Sequence, residues 1–332
     1  MPATPWSHSI SPVQLPFAKL ECVGNDFVLV EADQVRQVHV RDLGALARFV
    51  CDRRFGIGSD GLLVLYSGMQ PVTMRMFNPD GTEDVCGNGT RCAVAYSVLN
   101  NILPTVGVLC HGGKEIRFRY ESPVATIETA PATFNPYEVP HTLEEPIFDE
   151  PHEMEGLSMR LSSLSTGSTH LVAVADQHPP DPLFERVSSQ IERWPIFPAR
   201  TSIMWTVLET PTRLNLRIWE RGAGETLGCG TGAAAAAVVA ARLLASESSS
   251  GAHGPSSATT QTYPPTSSAG PSPQPTSAGE RAPLRIEVVS KGGTLLVELN
   301  DWQSSPTISG EVQMPFAGLL PLPPIMTNRP LC

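Results

Sequence analysis

The sequence predicts an α/β protein made of two similar halves. Segments with strand-like alternation and segments with helical spacing follow one another in both halves. Each half also carries the same local plan: a strand, a polar turn, a Cys-Gly-x-Gly motif and a helix-like apolar run. The motifs begin at Cys86 and Cys229, with Glu83 and Glu225 shortly before them. This repetition indicates duplication of one structural unit.

The elements of the first half follow from local patterns. Val72, Met74 and Met76 alternate with polar residues, which is typical of a half-buried strand. The spacing of apolar residues predicts a helix over 40–49, and a second helix follows Cys86. The predicted strands cover residues 17–20, 27–30, 62–65, 72–77, 106–109, 115–120 and 125–128.

The second half repeats this order of elements. A helix is predicted over 182–193, and another follows Cys229. The segment 134–152 is rich in Pro and Glu and is expected to join the two lobes. The predicted strands cover residues 159–161, 171–175, 203–208, 214–219, 284–289, 294–299 and 310–314.

The chain is expected to form two lobes with loose ends. We predict a flexible tail at 1–15, an N-terminal lobe at 16–135, a C-terminal lobe at 136–320 and a second tail at 321–332. The C-terminal lobe contains an insertion at 246–282 that is nearly all Ser, Pro, Thr, Ala and Gly. Because such a segment buries too little apolar surface to offset its chain entropy, we expect it to be disordered.

Composition limits the classes of function. With 332 residues the chain is long enough for two cores, and its formal charge of −10 argues against a nucleic-acid surface. The seven cysteines are an odd number, and no signal peptide precedes them, which argues against a disulfide scaffold. No segment reaches the length of a membrane span. We therefore expect a cytoplasmic protein whose partner is a small molecule, without nucleic acid or membrane, and we consider a homodimer as its assembly.

The paired motifs favour acid–base chemistry by two thiols. A cysteine at a helix N-terminus lies close to free N–H groups and the positive end of the helix dipole, which favour the thiolate. The same N–H groups can hold a carboxylate, and the glycines let it approach the backbone. Cys86 and Cys229 would then face one amino acid, one removing a proton and the other supplying it. Buried apolar roles remain the ordinary interpretation for Cys51, Cys92 and Cys110.

Other sites are less well supported by the sequence. A zinc site lacks a Cys-x-x-Cys motif and clustered histidines, and a redox disulfide between the paired cysteines is a further alternative. The segment 56–61 matches G-x-G-x-x-G, but no strand precedes it and no helix follows, so we reject a dinucleotide site. There is no Walker A sequence and no indication of a pyridoxal lysine, so we expect no cofactor and no metal.

Some polar residues have both an ordinary and a functional interpretation. Glu220 and Arg221 could form a surface ion pair, or Arg221 could clamp a second carboxylate with its planar fork. Asn25 and Asn78 lie in turns, where Asn is common for its backbone behaviour. His170 alone is more typical of a surface or a satisfied core position.

Taken in order, these segments resemble the diaminopimelate epimerase family of cofactor-independent amino-acid epimerases. The resemblance spans roughly residues 17 to 232. The matching stretches are Phe17-Ala18-Lys19, Gly24-Asn25-Asp26-Phe27, residues 54–61, residues 77–83 leading into Cys86-Gly87-Asn88-Gly89-Thr90-Arg91-Cys92, residues 197–201, and residues 220–226 leading into Cys229-Gly230-Thr231-Gly232.

The resemblance implies two pseudo-symmetric lobes, each a mainly antiparallel sheet wrapped around a central helix, with the active site in the cleft between them. It implies that Cys86 and Cys229 act as the catalytic thiols on opposite faces of the α-carbon. The substrate carboxylate would be held by backbone N–H groups of the two helix starts. The substrate-binding residues implied are Asn25, Asn78, Gly87, Asn88, Ser168, His170, Ser202, Glu220, Arg221, Gly230 and Thr231.

The sequence departs from the usual family pattern at several positions. Glu21-Cys22 stands where the family often has His-Gly, and Gly61 where it often has Gln. Ser168 and Ser202 occupy positions that usually carry Asn, which offers two N–H donors where serine offers one hydroxyl. The thiol pair is therefore retained while the distal end of the pocket is altered.

The resulting prediction is pyridoxal-independent epimerisation of LL-2,6-diaminopimelate to the meso isomer, in lysine and peptidoglycan precursor synthesis. The alternatives are a relative acting on another amino acid, which the serine changes would favour, and a non-catalytic amino-acid-binding protein. A disulfide oxidoreductase is a third class, which the missing Cys-x-x-Cys motif disfavours.

Overall fold

A computed structural model describes residues 13–250, 283–323 and 326, without the side chains of 247–250. Its described part contains strands and helices in an order that repeats once along the chain. The strands are β1 Gln14–Cys22, β2 Asn25–Glu31, β3 Gly61–Tyr66, β4 Thr73–Phe77, β5 Glu83–Asp84, β6 Val106–His111, β7 Lys114–Glu121, β8 Val124–Glu128, β9 Glu150–Met154, β10 Leu157–Ser165, β11 Thr169–Val174, β12 Ser202–Thr210, β13 Arg213–Glu220, β14 Gly224–Thr226, β15 Leu284–Ser290, β16 Gly293–Leu299, β17 Thr307–Glu311 and β18 Gln313–Pro321. The helices are α1 Ala32–Gln37, α2 Leu43–Cys51, α3 Gly87–Leu99, α4 Asp181–Glu192 and α5 Gly230–Ser250.

The strand pairings of the two halves match one for one. In the first half β1–β2 and β3–β4 are antiparallel, β2–β3 and β4–β6 are parallel, and β6, β7 and β8 continue antiparallel. In the second half β10–β11 and β12–β13 are antiparallel, β11–β12 and β13–β15 are parallel, and β15, β16 and β17 continue antiparallel. The predicted duplication and the two pseudo-symmetric lobes are therefore confirmed.

The last strand of each repeat joins the other half. β9 follows the strands of the first half but pairs with β10, and β18 follows those of the second half but pairs with β1. A further antiparallel pairing of β8 with β17 joins the two sheets edge to edge. The halves are thus tied together by hydrogen-bonded backbone at three places.

Each half wraps its sheet around one helix that is buried on nearly all sides. In α3 the residues from Asn88 to Ala95 are all buried, and in α5 so are those from Ala233 to Ala241. The small side chains of α5 suit this setting because they let the surrounding strands approach closely. The second glycine of each motif also keeps space for a neighbour, since a Cβ on Gly89 would lie 3.0 Å from Leu63 Cδ2 and one on Gly232 would lie 2.3 Å from Met204 Sδ.

One ion pair also recurs in both halves. Arg75 on β4 holds Glu83 with two hydrogen bonds of 2.8 and 2.7 Å, and Arg217 on β13 holds Glu225 with bonds of 2.7 and 3.2 Å. Each pair closes the short hairpin that leads into a cysteine. The acidic residue that precedes each motif in the sequence therefore fixes the turn that delivers the thiol.

Several sequence-based boundaries need correction. The strand predicted at 310–314 is two strands, β17 and β18, separated by Val312. Strand β1 begins at Gln14, inside the predicted tail 1–15, because Leu15 is buried in a small core beside Leu320. Helix α5 continues to Ser250 and so enters the predicted insertion.

The chain ends extend the ordered part slightly beyond expectation. Leu322 lies past the predicted start of the second tail, yet it is buried and its N–H donates to the Val13 carbonyl at 2.8 Å. Most of the predicted insertion, 251–282, and most of the two tails lie outside the described residues. Helix α1 and strand β9 were not predicted. The lobe boundaries remain predictions.

None of the helices in the described ranges combines the length and apolar character needed to cross a membrane.

Candidate active site

Both motif cysteines lie where a buried helix begins. Cys86 caps α3 with extended backbone, and its Sγ accepts a hydrogen bond from the Gly89 N–H at 3.5 Å. The carbonyls of Cys86 and Cys229 each accept the first intrahelical bond, from Thr90 and Ala233, both at 2.9 Å. The two thiols therefore have the helix N-terminal setting that the sequence predicts.

The two helix starts line one cavity of about 200 Å³ between the halves. From the first half it takes the predicted Asn25, Cys86, Gly87 and Asn88; from the second half it takes the predicted Ser168, His170, Ser202, Glu220, Arg221, Cys229, Gly230 and Thr231. Asp84, Val85, Thr169 and Gly228 also line it and were not predicted. Asn78 is not among the lining residues; its Nδ2 donates to Thr82 Oγ1 at 3.1 Å, and its role in binding remains a prediction.

The surroundings of Cys86 include a histidine that sequence reasoning missed. The backbone N–H of Cys86 donates to His111 Nε2 at 3.1 Å, so His111 Nδ1 carries the proton and donates to the Met74 carbonyl at 3.1 Å. Burial lowers the pKa of His111, which maintains this neutral form. His111 reaches the motif only through the pairing of β6 with β4, and no local pattern in the sequence indicates it.

Asn25 is the side-chain partner of the Cys86 thiol. The thiol donates to Asn25 Oδ1 at 3.7 Å, while Asn25 Nδ2 donates to Asp60 Oδ2 at 2.8 Å. Arg53 in turn holds Asp60 at 2.7 Å. Asp60, itself held by Arg53, therefore keeps the Asn25 amide in the orientation that presents Oδ1 to the thiol.

Asp26 anchors the same turn. Its carboxylate accepts from Arg53 and forms an ion pair with Lys19 Nζ at 2.6 Å. Burial alone would raise the pKa of Asp26, but the hydrogen bonds and charges of Arg53 and Lys19 outweigh it and lower the pKa to about 2.

Asn88 joins the two helix starts. Its Nδ2 donates to Asn25 Oδ1 at 3.2 Å in its own half and to the Gly228 carbonyl at 3.1 Å in the other. Its Oδ1 accepts from the Arg91 guanidinium. The side chain of one motif thus holds the backbone immediately before the other cysteine.

The surroundings of Cys229 are made of hydroxyls and a buried histidine. The Cys229 thiol lies 3.7 Å from Thr231 Oγ1, which is 3.0 Å from His170 Nε2 and from Ser168 Oγ. Burial, together with the charge of Arg221, lowers the pKa of His170 to about 4, so this ring is neutral at physiological pH.

Glu220 and Arg221 line the cavity from the second half. Glu220 accepts a hydrogen bond from Thr226 Oγ1 at 2.6 Å, and burial raises the pKa of its carboxyl. The backbone N–H of Arg221 donates to Ser202 Oγ at 3.1 Å, and its guanidinium donates to the Ala199 carbonyl at 3.1 Å. The two residues do not form an ion pair with each other, so the surface-pair interpretation does not hold for the described chain.

Burial raises the pKa of both thiols. The pKa of Cys86 rises to about 11, although the Gly89 N–H opposes the shift, and that of Cys229 rises more strongly. The negative charge of Glu220 adds to the rise at both sulfurs. Both sulfurs are therefore protonated at neutral pH.

Within the described ranges, no group of three or more His, Cys, Asp or Glu residues is arranged to hold a metal ion.

Comparison with known proteins agrees with this geometry. The diaminopimelate epimerase family model matches residues 17–133 and 162–254. Diaminopimelate epimerase of Moorella thermoacetica is 38% identical over 234 residues, covering 65% of this chain and 80% of that protein. The enzyme of the same name from Carboxydothermus hydrogenoformans is 36% identical over 224 residues, covering 66% and 81%.

Solved structures share the fold at low identity. A PhzF-family phenazine biosynthesis protein of Bacillus anthracis superposes with a TM-score of 0.60 at 13% identity, covering 92% of this chain and 98% of that one. A hydroxyproline epimerase of Agrobacterium vitis superposes with a TM-score of 0.54 at 13% identity, covering 97% and 95%. The structural likeness supports the two-lobed fold, and the sequence matches go further: this chain belongs to the diaminopimelate epimerase family.

Proposed function

We propose that the protein epimerises LL-2,6-diaminopimelate to meso-diaminopimelate without a cofactor, as a step in lysine and peptidoglycan precursor synthesis. The observation that carries the proposal is the convergence of Cys86 and Cys229, each at the start of a buried helix, on one cavity in a member of this family. A cavity of about 200 Å³ is of the size of a small amino acid.

The proposed reaction is an inversion by two thiols on opposite faces of the α-carbon. One thiolate takes the α-proton, so that the C–H bond breaks, an S–H bond forms and the electron pair moves toward the carboxylate. The opposing thiol then gives its proton to the other face, so that its S–H bond breaks and a new C–H bond forms. Free N–H groups at the starts of α3 and α5 would stabilise the charge that develops on the carboxylate.

Substrate binding would itself favour the thiolate. Because the charge of Glu220 raises the pKa of both thiols, a substrate ammonium group placed beside Glu220 would cancel that effect. Lobe closure around the substrate would also exclude water from the carbanion. The resting enzyme would keep its thiols protonated and ionise one of them when an amino acid is bound.

A second candidate is epimerisation of a different amino acid by the same thiols. The hydroxyl of Ser202 is engaged by the Arg221 N–H, and that of Ser168 lies 2.9 Å from His170 Nε2 and 3.0 Å from Thr231 Oγ1. The Ser168 hydroxyl therefore donates within the site, whereas Ser202 accepts from Arg221 and keeps its O–H free to donate to a distal carboxylate. Arg221 remains the residue suited to a distal carboxylate, which favours diaminopimelate.

The experiment is proton NMR of LL-diaminopimelate in D₂O with freshly reduced protein. Loss of the α-proton signal together with appearance of the meso isomer is the expected result. A panel of other amino acids, including proline and glutamate, is run alongside. Exchange of one of those with none for diaminopimelate would establish the second candidate, and exchange of no amino acid by a folded, reduced protein would contradict both.

We also propose a cytoplasmic homodimer. The chemistry needs both thiols reduced, which favours a reducing compartment. Strand β18 pairs only with β1 among the described strands, and it exposes Met314, Phe316 and Leu319 to 45–56%. An exposed apolar edge of this kind is a natural contact with a second copy. Sedimentation should give a dimer that Phe316→Glu converts to monomer; a monomeric wild type at micromolar concentration would contradict the proposal.

A further inference from the structure

The described chain buries one guanidinium without any carboxylate partner. Arg91 on α3 is completely buried, and no acidic side chain of the described residues lies within ion-pair distance of it. Its Nε donates to Cys22 Sγ at 3.3 Å and one terminal nitrogen donates to Asn88 Oδ1, while the other, NH1, has no partner. Since arginine stays protonated in proteins, this is an uncompensated buried positive charge.

A buried positive charge destabilises the fold unless a negative charge lies near enough to stabilise it. Burial of an unpaired ion strongly destabilises a fold, and the unpaired NH1 adds to that cost. An apolar side chain of similar volume would fill the same space more favourably. The position of Arg91 therefore points to an anion that binds or forms near it.

The guanidinium lies beneath the starts of both central helices. A Cβ on Gly230, the first residue of α5, would be 3.1 Å from NH1 and 3.3 Å from the other terminal nitrogen of Arg91. In its own helix, Arg91 follows Cys86 by little more than one turn. The guanidinium thus lies on α3 and close to the first residue of α5.

Arg91 also controls the orientation of the groups that contact the thiol. By donating to Asn88 Oδ1, it directs Asn88 Nδ2 toward Asn25 Oδ1 and the Gly228 carbonyl. Asn25 Oδ1 in turn receives the Cys86 thiol proton. One buried cation therefore fixes an amide relay that ends at the sulfur.

We propose that Arg91 is a positioning residue that stabilises the anionic state of the site, in which negative charge is shared between the Cys86 sulfur and the carboxylate bound at the two helix starts. The inference rests on the proposed function for the carboxylate, but its effect on Cys86 does not require substrate. The other titratable groups near Cys86 are Glu220, Cys229, His111, Asp84 and Cys92. Burial and the charge of Glu220 raise the pKa of Cys86, and the charge of Arg91 opposes that rise.

The test compares Arg91→Met, Arg91→Gln and Arg91→Lys in a Cys229→Ala background. Met keeps the volume without charge, Gln keeps a donor for Asn88 without charge, and Lys keeps the charge. The rate of Cys86 alkylation by iodoacetamide is followed from pH 7 to 11 by peptide mass spectrometry. Arg119→Met, which removes an exposed cation on β7 of the same half, is the matched control.

The expected result is a rise of about one unit in the apparent pKa of Cys86 in the Met and Gln variants, hence about tenfold slower alkylation at pH 8. Lys should restore most of the rate, and Arg119→Met should leave it unchanged. If Met does not fold, the Gln variant decides alone. Alkylation profiles that are the same in the neutral variants and in the parent protein would overturn the inference and leave Arg91 a structural residue.

Turnover of diaminopimelate separates this inference from the proposed function. With Cys229 restored, Arg91→Met should lower kcat by about 100-fold with a smaller change in KM, because the charge acts mainly as the α-proton leaves. An inactive wild type with a shifted Cys86 profile in Arg91→Met would contradict the proposed function but support the role of Arg91. An active wild type whose Arg91→Met variant keeps kcat would contradict the role and leave the function intact.

Discussion

The two halves share one backbone plan but surround their cysteines differently. The Cys86 thiol donates to an amide oxygen, its backbone N–H donates to a histidine, and a buried guanidinium lies nearby. The Cys229 thiol lies next to a threonine hydroxyl that contacts a neutral histidine. The pKa of Cys86 rises to about 11 on burial, and that of Cys229 rises more strongly. The two equivalent positions of the repeat therefore hold thiols in different surroundings, and burial raises the pKa less at Cys86 than at Cys229.

Removing one thiol at a time tests the difference between Cys86 and Cys229 most directly. Cys86→Ala and Cys229→Ala should each lower epimerisation at least about 10³-fold, because each removes the acid or base on one face. The remaining thiol should still exchange the α-proton of one stereoisomer with D₂O. We expect this residual exchange to be faster in Cys229→Ala, which keeps the more acidic thiol.

Deuterium incorporation into LL- and meso-diaminopimelate, measured by NMR or mass spectrometry, checks both statements. Equal residual exchange in the two variants would contradict the difference between the thiols. Epimerisation at the wild-type rate in either variant would contradict the two-thiol mechanism itself.

The recurring arginine–glutamate pair is also expected to contribute differently to the stability of the two halves. In the first half Arg75 is 41% exposed, while in the second Arg217 is 9% exposed, lies 3.6 Å over the Phe184 ring and donates to the Pro179 carbonyl. Arg217→Met should therefore lower the free energy of unfolding by about 2–4 kcal/mol, because it leaves Glu225 and a buried carbonyl short of a donor. Arg75→Met should change it by less than about 1 kcal/mol.

Urea denaturation of the two variants and the wild type measures this difference directly. Equal losses of stability would show that the second-half pair is no more important to folding than its exposed counterpart.

The second residues of β2 and β11, Asp26 and His170, make the stability of the fold depend on pH. His170 has a pKa of about 4 in the folded protein against an ordinary 6.5, and Asp26 has about 2 against 3.8. Both groups have a higher pKa in the unfolded chain than in the folded protein, so the unfolded chain binds the proton first as the pH falls. The fold therefore loses stability between pH 6.5 and 4 because of His170, and between pH 3.8 and 2 because of Asp26. For His170 the loss should be about 3 kcal/mol.

Denaturation curves between pH 7 and 2 test these windows. His170→Gln should flatten the profile above pH 4, and Asp26→Asn should flatten it only below pH 4. An unchanged slope between pH 6.5 and 4 in His170→Gln would contradict the assignment of that window to His170.

Local patterns in the sequence were sufficient for most of the fold. The alternation around Val72–Met76 predicts β4, and the paired Cys-Gly-x-Gly motifs predict the starts of α3 and α5. The short α1 and the polar edge strand β9 carry too few apolar residues to show a period. Their formation depends on packing and pairing with β2, β3 and β10, which no local window contains.

The candidate site shows the same division. Asn88 could be predicted because it lies within a motif at a helix start, and Arg221 because it follows a strand in the turn that leads toward the second motif. Nothing in the sequence indicated a role for His111 or Arg91, because their hydrogen-bond partners are distant in the chain. His111 accepts from the Cys86 N–H, 25 residues away, and Arg91 donates to the Cys22 sulfur, 69 residues away.

The exchange of β9 and β18 between the halves has a consequence for the history of the chain. Each repeat completes the sheet of the other, so a single repeat on its own would leave one sheet edge open and one strand without a partner. The arrangement is the one expected if two identical chains had swapped their last strands before their genes fused. An ancestor of this kind would already have held two identical thiols across one cleft, and fusion would have freed each of them to change separately.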